Sequence, residues 1–172
     1  MKNLILSFLL VPFLVHAQYN NLQLENTQIF FEKVYTVDSL KTSDIEKLLL
    51  TGVPILKDVT SFQKSQDVII AKINNTLIDY KKYGGSWGGT AVFMNHPFFG
   101  DVSIVWKDNK YKVTVSNMYF NTAGFGLMKC SDIFTKKRGK KLSKNSNTIT
   151  AGQYIEKYLA DLFLIKQDRK DW

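Results

Sequence analysis

Val102–Met118, VSIVWKDNKYKVTVSNM, reads as two strands joined by one tight turn. Val102, Ile104 and Trp106 alternate with polar or smaller residues, and Tyr111, Val113 and Val115 do the same after the turn, so each run offers one apolar face. Asp108-Asn109 between them tolerates left-handed backbone angles, which suits a two-residue hairpin. Val102–Lys107 and Lys110–Met118 are therefore expected to pair antiparallel, and the rest of the sheet is built outward from them. Ile29–Val37, IFFEKVYTV, is rich in β-branched and aromatic residues and predicts a strand. Val68–Tyr80 predicts a long strand in which Asn74-Asn75 makes a bulge or a turn. Thr90–Asn95 predicts a short strand, followed by a turn at His96-Pro97.

Two helices complete the pattern. Ser43-x-x-Glu46 has the form of a capping box, and Ile45, Leu48 and Leu49 form an apolar stripe behind it. Gly52 and Pro54 predict a break or kink. Thr150-x-x-Gln153 has the same capping form, and Tyr154, Ile155, Tyr158, Leu159, Leu162 and Phe163 recur at helical spacing. The order is β-α-β-β-β-β-α. Sequential hairpins are antiparallel, and amphipathic helices need a sheet face to cover. The expected fold is a single α+β domain, a curved five-stranded antiparallel sheet with two helices on one face.

The chain opens MKNLILSFLLVPFLVHAQYN. Lys2, the apolar run Leu4 to Val15 and the small-x-small triplet Val15-His16-Ala17 predict a secretory signal peptide over residues 1–17, cut before Gln18. The apolar run is shorter than the ~20 residues a membrane span needs and is broken by Pro12. The expectation is an exported protein, periplasmic or secreted, with no transmembrane segment after cleavage. Residues 18–28 are expected to be an N-terminal extension and residues 29–172 the domain. With 45% hydrophobic and 13% aromatic residues the chain has the composition of a folded globule. Its one cysteine, Cys130, allows no internal disulfide.

The formal charge of +8 is unevenly placed. Residues 18–106 carry 8 basic and 9 acidic groups, whereas residues 107–144 carry 10 basic and 2 acidic. The densest part is KKRGKKLSK, Lys136–Lys144, with six cations in nine residues. Export argues against nucleic acid as its partner. An anionic lipid headgroup, an acidic polysaccharide or an acidic protein face would suit it. A solvated, self-repelling loop is the competing account. Within the polar segment 121–148, Phe125, Leu127, Met128, Ile133 and Phe134 suggest that the first half packs, leaving a mobile basic loop around 135–148.

Tyr83–Thr90, YGGSWGGT, holds four of the ten glycines. A phosphate-binding glycine loop opens a helix, whose amides face the anion. Here the next element reads as a strand, so a flexible hairpin connection is expected, carrying Trp87 away from the core. The candidate contact residues are Tyr83, Trp87, Lys136, Lys137, Arg138, Lys140 and Lys141. An up-and-down strand order would place residues 83–89 beside the Asp108-Asn109 turn, at the end of the sheet opposite the cations.

Candidate chemistry is sparse. After cleavage His96 is the single histidine; with Cys130 it is the one nucleophile–base pair of its type on offer, and its place before Pro97 in a turn favours a solvated role. A zinc site needs three or four ligands at defined spacings, and the carboxylates are scattered singly, so neither a metal nor a cofactor is expected. Ser86 in G-S-W-G only loosely matches a nucleophile elbow, which requires a strand before it and a helix after it.

The junction VYTVDSLKTSDI and the hairpin KDNKYKVTVSNMYF resemble the TBP-like-fold domain of unknown function found in exported proteins of Bacteroidetes. The resemblance covers about residues 29–120 at motif level and the last helix by topology. It implies a fold like half of the TATA-binding saddle and transfers no catalytic or binding residue. The GGSWGG stretch and the basic 121–148 segment depart from it. The expected function is an exported, non-enzymatic binding or interaction module of the cell envelope. A small exported hydrolase and an NTF2-like ligand cup are the alternatives.

Overall fold

A computed structural model describes residues 18–165 of the chain. The expected signal peptide, residues 1–17, lies outside the described residues. Its strands and helices run β1 (Leu22–Glu25), β2 (Gln28–Thr36), α1 (Thr42–Gly52), β3 (Val59–Ser65), β4 (Val68–Thr76), β5 (Phe98–Lys107), β6 (Lys110–Thr122), β7 (Gly126–Lys129), α2 (Cys130–Phe134), β8 (Thr135–Lys136), β9 (Lys141–Leu142) and α3 (Ser146–Leu162). The main sheet is antiparallel, in the order β1-β2-β6-β5-β4-β3, with β7 pairing the far end of β6.

The central hairpin forms as expected. Trp106 faces Tyr111, Ile104 faces Val113 and Val102 faces Val115, and Asn109 takes φ 63° in the two-residue turn. Of the paired residues all but Trp106 are buried. Their shared face is covered by α1, through Ile45 and Leu49, and by α3, through Ile155 and Leu159. Tyr35 and Tyr111 stack at 4.8 Å. Their hydroxyls donate to the carbonyls of Ala160 (3.1 Å) and Phe163 (2.7 Å), which have no partner within a helix end. Of the bulge or turn expected at Asn74-Asn75, the structure forms a bulge, with Asn75 at φ 55° and a register shift between Ile73 and Thr76.

The two stretches that carried the resemblance are bonded to each other. Val37 N–H donates to Asn109 O (2.8 Å), Asn109 N–H to Leu40 O (3.0 Å), and Thr42 N–H to the Asp108 carboxylate (2.7 Å). Asp108 thereby caps α1 from across the fold, and these bonds from Thr42 hold its carboxyl below the usual range. The expected Ser43 capping box is displaced by this contact, since α1 starts at Thr42. Likewise α3 starts before Thr150, where Asn145 accepts from Thr148 N–H (3.2 Å).

Other expectations are corrected. The sheet has seven strands instead of five. Residues 18–28 are no extension, because β1 pairs with β2 and Leu22 is buried opposite Phe31. Glu156 of α3 accepts the Asn21 and Leu22 amides, which fastens this segment to the helix. β3 has few apolar residues because it is an edge strand. Thr90–Asn95 is no strand: Val92–Asn95 is a 3-10 helical turn, wound so that Met94 is buried. The 135–148 segment is no loop but the β8–β9 hairpin leading into α3.

Strand order also relocates the glycine stretch. β4 ends at Thr76 opposite Phe98, so the connection 77–97 begins and ends at the sheet end opposite the Asp108-Asn109 turn. That is the end where β6 finishes and the basic segment starts.

Candidate functional site

The end of the sheet beyond Phe98 and Phe120 is built on a chain of aromatic contacts. Phe98 meets Phe120 (5.2 Å), Phe120 meets Phe93 (5.1 Å), Phe93 meets Phe134 edge-on (6.0 Å), and Phe134 meets Tyr19 (6.4 Å). Contacts of this kind add ~0.5–1.5 kcal/mol each beyond area burial. They fix the 92–95 turn and α2 against the sheet. Over this base lies a pocket of about 290 Å³ lined by Val92, Phe93, His96, Thr122, Phe125 and Met128. His96 is its main polar feature.

The pocket's rim is apolar and open to solvent. Phe125 is 84% exposed and Val92 73%, whereas Leu127, also exposed, alternates with the pocket-lining Met128 and faces the other side of β7. Phe125 stands at the tip of the β6–β7 turn between Gly124 (φ 89°) and Gly126 (φ 71°). A Cβ on either glycine would meet nothing within 4 Å, so this tip projects into open space. The expectation that the first half of 121–148 packs therefore holds for Met128, Ile133 and Phe134 and fails for Phe125 and Leu127. The A-G-F-G-L pattern carried the same signal as Trp87 between glycines, an aromatic residue on a backbone chosen for turning.

Beside the pocket the chain turns back as β8–β9. Phe134, which packs on the pocket wall Phe93, directly precedes this hairpin. Ser143 N–H donates to Phe134 O (2.8 Å), and the Gln18 amide donates to Ser143 O (2.8 Å). The tip carries Lys137 (φ 53°), Arg138 (φ 58°) and Gly139 (φ 83°). A Cβ at Gly139 would lie 2.6 Å from Thr27, so glycine lets the tip close onto the β1–β2 turn. Lys136, Lys137, Arg138, Lys140 and Lys141 are all exposed, and none forms an ion pair among the described residues. Left-handed angles at a side-chain-bearing residue cost ~1–2 kcal/mol each. Lys136 and Lys141 face each other directly, which is a repulsive cross-strand pair. The hairpin thus holds five cations together against its own local stability.

The candidates read from sequence do not gather into one site. Tyr83 donates to Asp161 (3.0 Å) beside the Lys82–Asp161 ion pair (2.7 Å), which ties it to α3. Its hydroxyl is pushed up, first by burial and then by Asp161. Trp87 is 77% exposed, as expected, but it lies in a 3-10 helical turn and not a hairpin. No hydrogen bond or ion pair among the described residues joins either of them to the cations. Ser86 precedes that turn, not the helix a nucleophile elbow needs. Cys130 is buried, burial pushes its thiol up, and no hydrogen bond joins it to His96 among the described residues. The pair is not assembled.

Two further surfaces were not legible in the sequence. One is a polar pocket of about 440 Å³ lined by Asp58, Asp79, Lys82, Tyr83 and Tyr158 among others, where the Tyr158 hydroxyl donates to Asp58 (3.1 Å). Burial and the Asp58 charge push that hydroxyl up, away from the range of a group poised to exchange protons near neutrality. The other is the sheet face left open by the helices. It carries a shallow hollow of about 410 Å³ around Phe30 and a stacked Phe99–Tyr119 pair (4.9 Å). The apolar pocket lies at the end of the sheet and not between sheet and helices, where an NTF2-like cup would hold its ligand.

No known family and no curated protein matches the chain. Two solved structures do. A TBP-like protein from Parabacteroides distasonis superposes with a TM-score of 0.52 at 14% identity, over 82% of this chain and 94% of that one. A DUF4468 family protein from Bacteroides ovatus superposes with a TM-score of 0.54 at 12% identity, over 86% of this chain and 93% of that one. At these identities the likeness is one of fold. The chain has the TBP-like α+β fold, as the motif-level resemblance implied.

Proposed function

We propose that this chain is an exported, non-enzymatic binding module of the bacterial cell envelope, and that its contact surface is the end of the sheet carrying the apolar pocket and the β8–β9 hairpin. The observation that carries this reading is the exposed apolar rim of Phe125 and Val92 at the pocket, with five exposed cations on a hairpin anchored to the pocket wall. Scattered apolar residues on a surface need no explanation, but apolar side chains gathered at one pocket mark contact sites. The fold supplies no function by itself, since sites and not folds determine activity. Cys130 is buried with its thiol held protonated, which supports binding over hydrolysis by that residue.

The test is capture of partners from the envelope extract of the source bacterium on the immobilised chain from Gln18. It is run with the native sequence, with Phe125→Ser plus Val92→Ser, and with Tyr83→Phe. Loss of captured material with the pocket variant alone is the expected result. Equal capture by all of them would place the contact elsewhere.

A further inference from the structure

We infer that the partner of this surface is an anionic lipid bilayer, which the protein docks onto from the aqueous side; this rests on the reading just given. Three features select a bilayer over the other acidic partners. First, Phe125 and Val92 are exposed apolar side chains at the pocket, and Phe125 projects from a glycine-flanked tip. An acidic polysaccharide offers such groups no apolar phase, whereas a bilayer accepts them at the headgroup–acyl boundary. Second, the cations Lys136, Lys137, Arg138, Lys140 and Lys141 stand on the hairpin anchored behind the pocket wall. An apolar insertion or a basic cluster alone binds bilayers marginally, and stable attachment takes both signals. Third, the hairpin is self-repulsive, with Lys136 opposite Lys141 and two left-handed cationic residues at its tip. A negative surface relieves that repulsion. Among the described residues no helix is long and apolar enough to cross a membrane, so attachment through this end would be peripheral.

The experiment is flotation of the chain from Gln18 with vesicles. The leader is left out because its own apolar run would bind lipid. Vesicles of phosphatidylcholine mixed with phosphatidylglycerol in equal parts are compared with phosphatidylcholine alone. Binding to the anionic vesicles only, weakened by added salt, is expected. Each cation near such a surface contributes about fivefold in affinity, so Lys137→Gln with Arg138→Gln should weaken binding roughly 25-fold. Phe125→Ser should weaken it about tenfold, since most of a phenyl group's transfer from water is lost. Because Phe125 is exposed, circular dichroism and the urea midpoint should stay as in the native chain, which separates lost docking from lost folding. Absence of anionic-vesicle binding, or binding unchanged by both variants, would overturn the inference. If vesicles fail while capture from extract still depends on Phe125 and Val92, the partner is a protein and the broader reading stands. If both fail, the surface is not a contact site.

Discussion

Gly152 offers a sharp test of how the N-terminal segment is held. It lies in the middle of α3, where Gly→Ala ordinarily stabilises a helix by about 1 kcal/mol. Here a Cβ would sit 2.5 Å from Tyr19 Cε1 and 2.7 Å from its Cζ and hydroxyl. The Tyr19 ring cannot easily withdraw, because it is buried, packs edge-on against Phe134 at 6.4 Å, and belongs to the segment that Glu156 holds by its backbone amides. Overpacking of this kind costs ~1–3 kcal/mol. The two effects oppose, and Gly152→Ala alone should be destabilising by up to about 2 kcal/mol. Tyr19→Leu removes the colliding atoms. In that background Gly152→Ala should recover its helix-propensity gain and stabilise by about 1 kcal/mol. The change between the two backgrounds amounts to a coupling of ~1–3 kcal/mol, the overpacking term itself and within the range for residues in contact. Urea titration of the four proteins measures it, with equal m-values as the condition for comparing midpoints. If Gly152→Ala raises the midpoint while Tyr19 is intact, the ring yields freely, and the reasoning that β1 is clamped to α3 is wrong.

Three more outcomes follow from the same geometry. Burial pushes the Tyr111 hydroxyl up from 10.0 to about 12, so the folded state keeps a proton that the unfolded chain releases. That contribution is complete below pH 10.0 and is lost as pH rises through about 12. Denaturation midpoints should therefore fall across that window, and less steeply in Tyr111→Phe, which should also lose ~1–3 kcal/mol at neutral pH by leaving Phe163 O without its donor. Cys130 should react with a thiol reagent only as fast as the protein opens, because it is buried and its thiol is held protonated. Rapid modification under native conditions would contradict that placement. Asp108→Ala should lower stability by uncapping α1 and freeing the Asn109 turn, and Asp108→Asn should restore part of it by accepting from Thr42. The native carboxyl is depressed, so its advantage should be present above the ordinary carboxylate range and vanish as the pH falls through its lowered value.

The candidate site was only partly legible before the structure. The glycines flanking Trp87 predict its exposure, and it is exposed. The basic run was seen as a concentration of charge, yet its hairpin form depends on Ser143 meeting Phe134 and on Gly139 meeting Thr27, contacts that no local pattern encodes. The apolar character of Phe125 and Leu127 predicts packing, because apolar residues usually pack. Whether they do depends on which strand end lies beneath them.

By itself the sequence determined the elements whose signals are local. The alternation around Asp108-Asn109 specified the hairpin, the apolar stripes specified α1 and α3, and the Asn74-Asn75 pair marked an interruption as a bulge or a turn, which the structure resolves as a bulge. Together these settled an antiparallel α+β fold. Tertiary structure alone decided the strands β1, β3 and β7, which have too few apolar residues to announce themselves and form because a partner edge awaits them. It overrode the strand preference of Thr90–Asn95 because a helical turn buries Met94 and brings Phe93 onto Phe120 and Phe134. It also decided where the surface lies. The order β1-β2-β6-β5-β4-β3 brings the ends of β4 and β6 to one end of the sheet, and so sets the pocket of the 77–97 connection beside the basic hairpin. Periodicity carries information over a turn or two of chain, whereas strand order is chosen by the burial of the whole core.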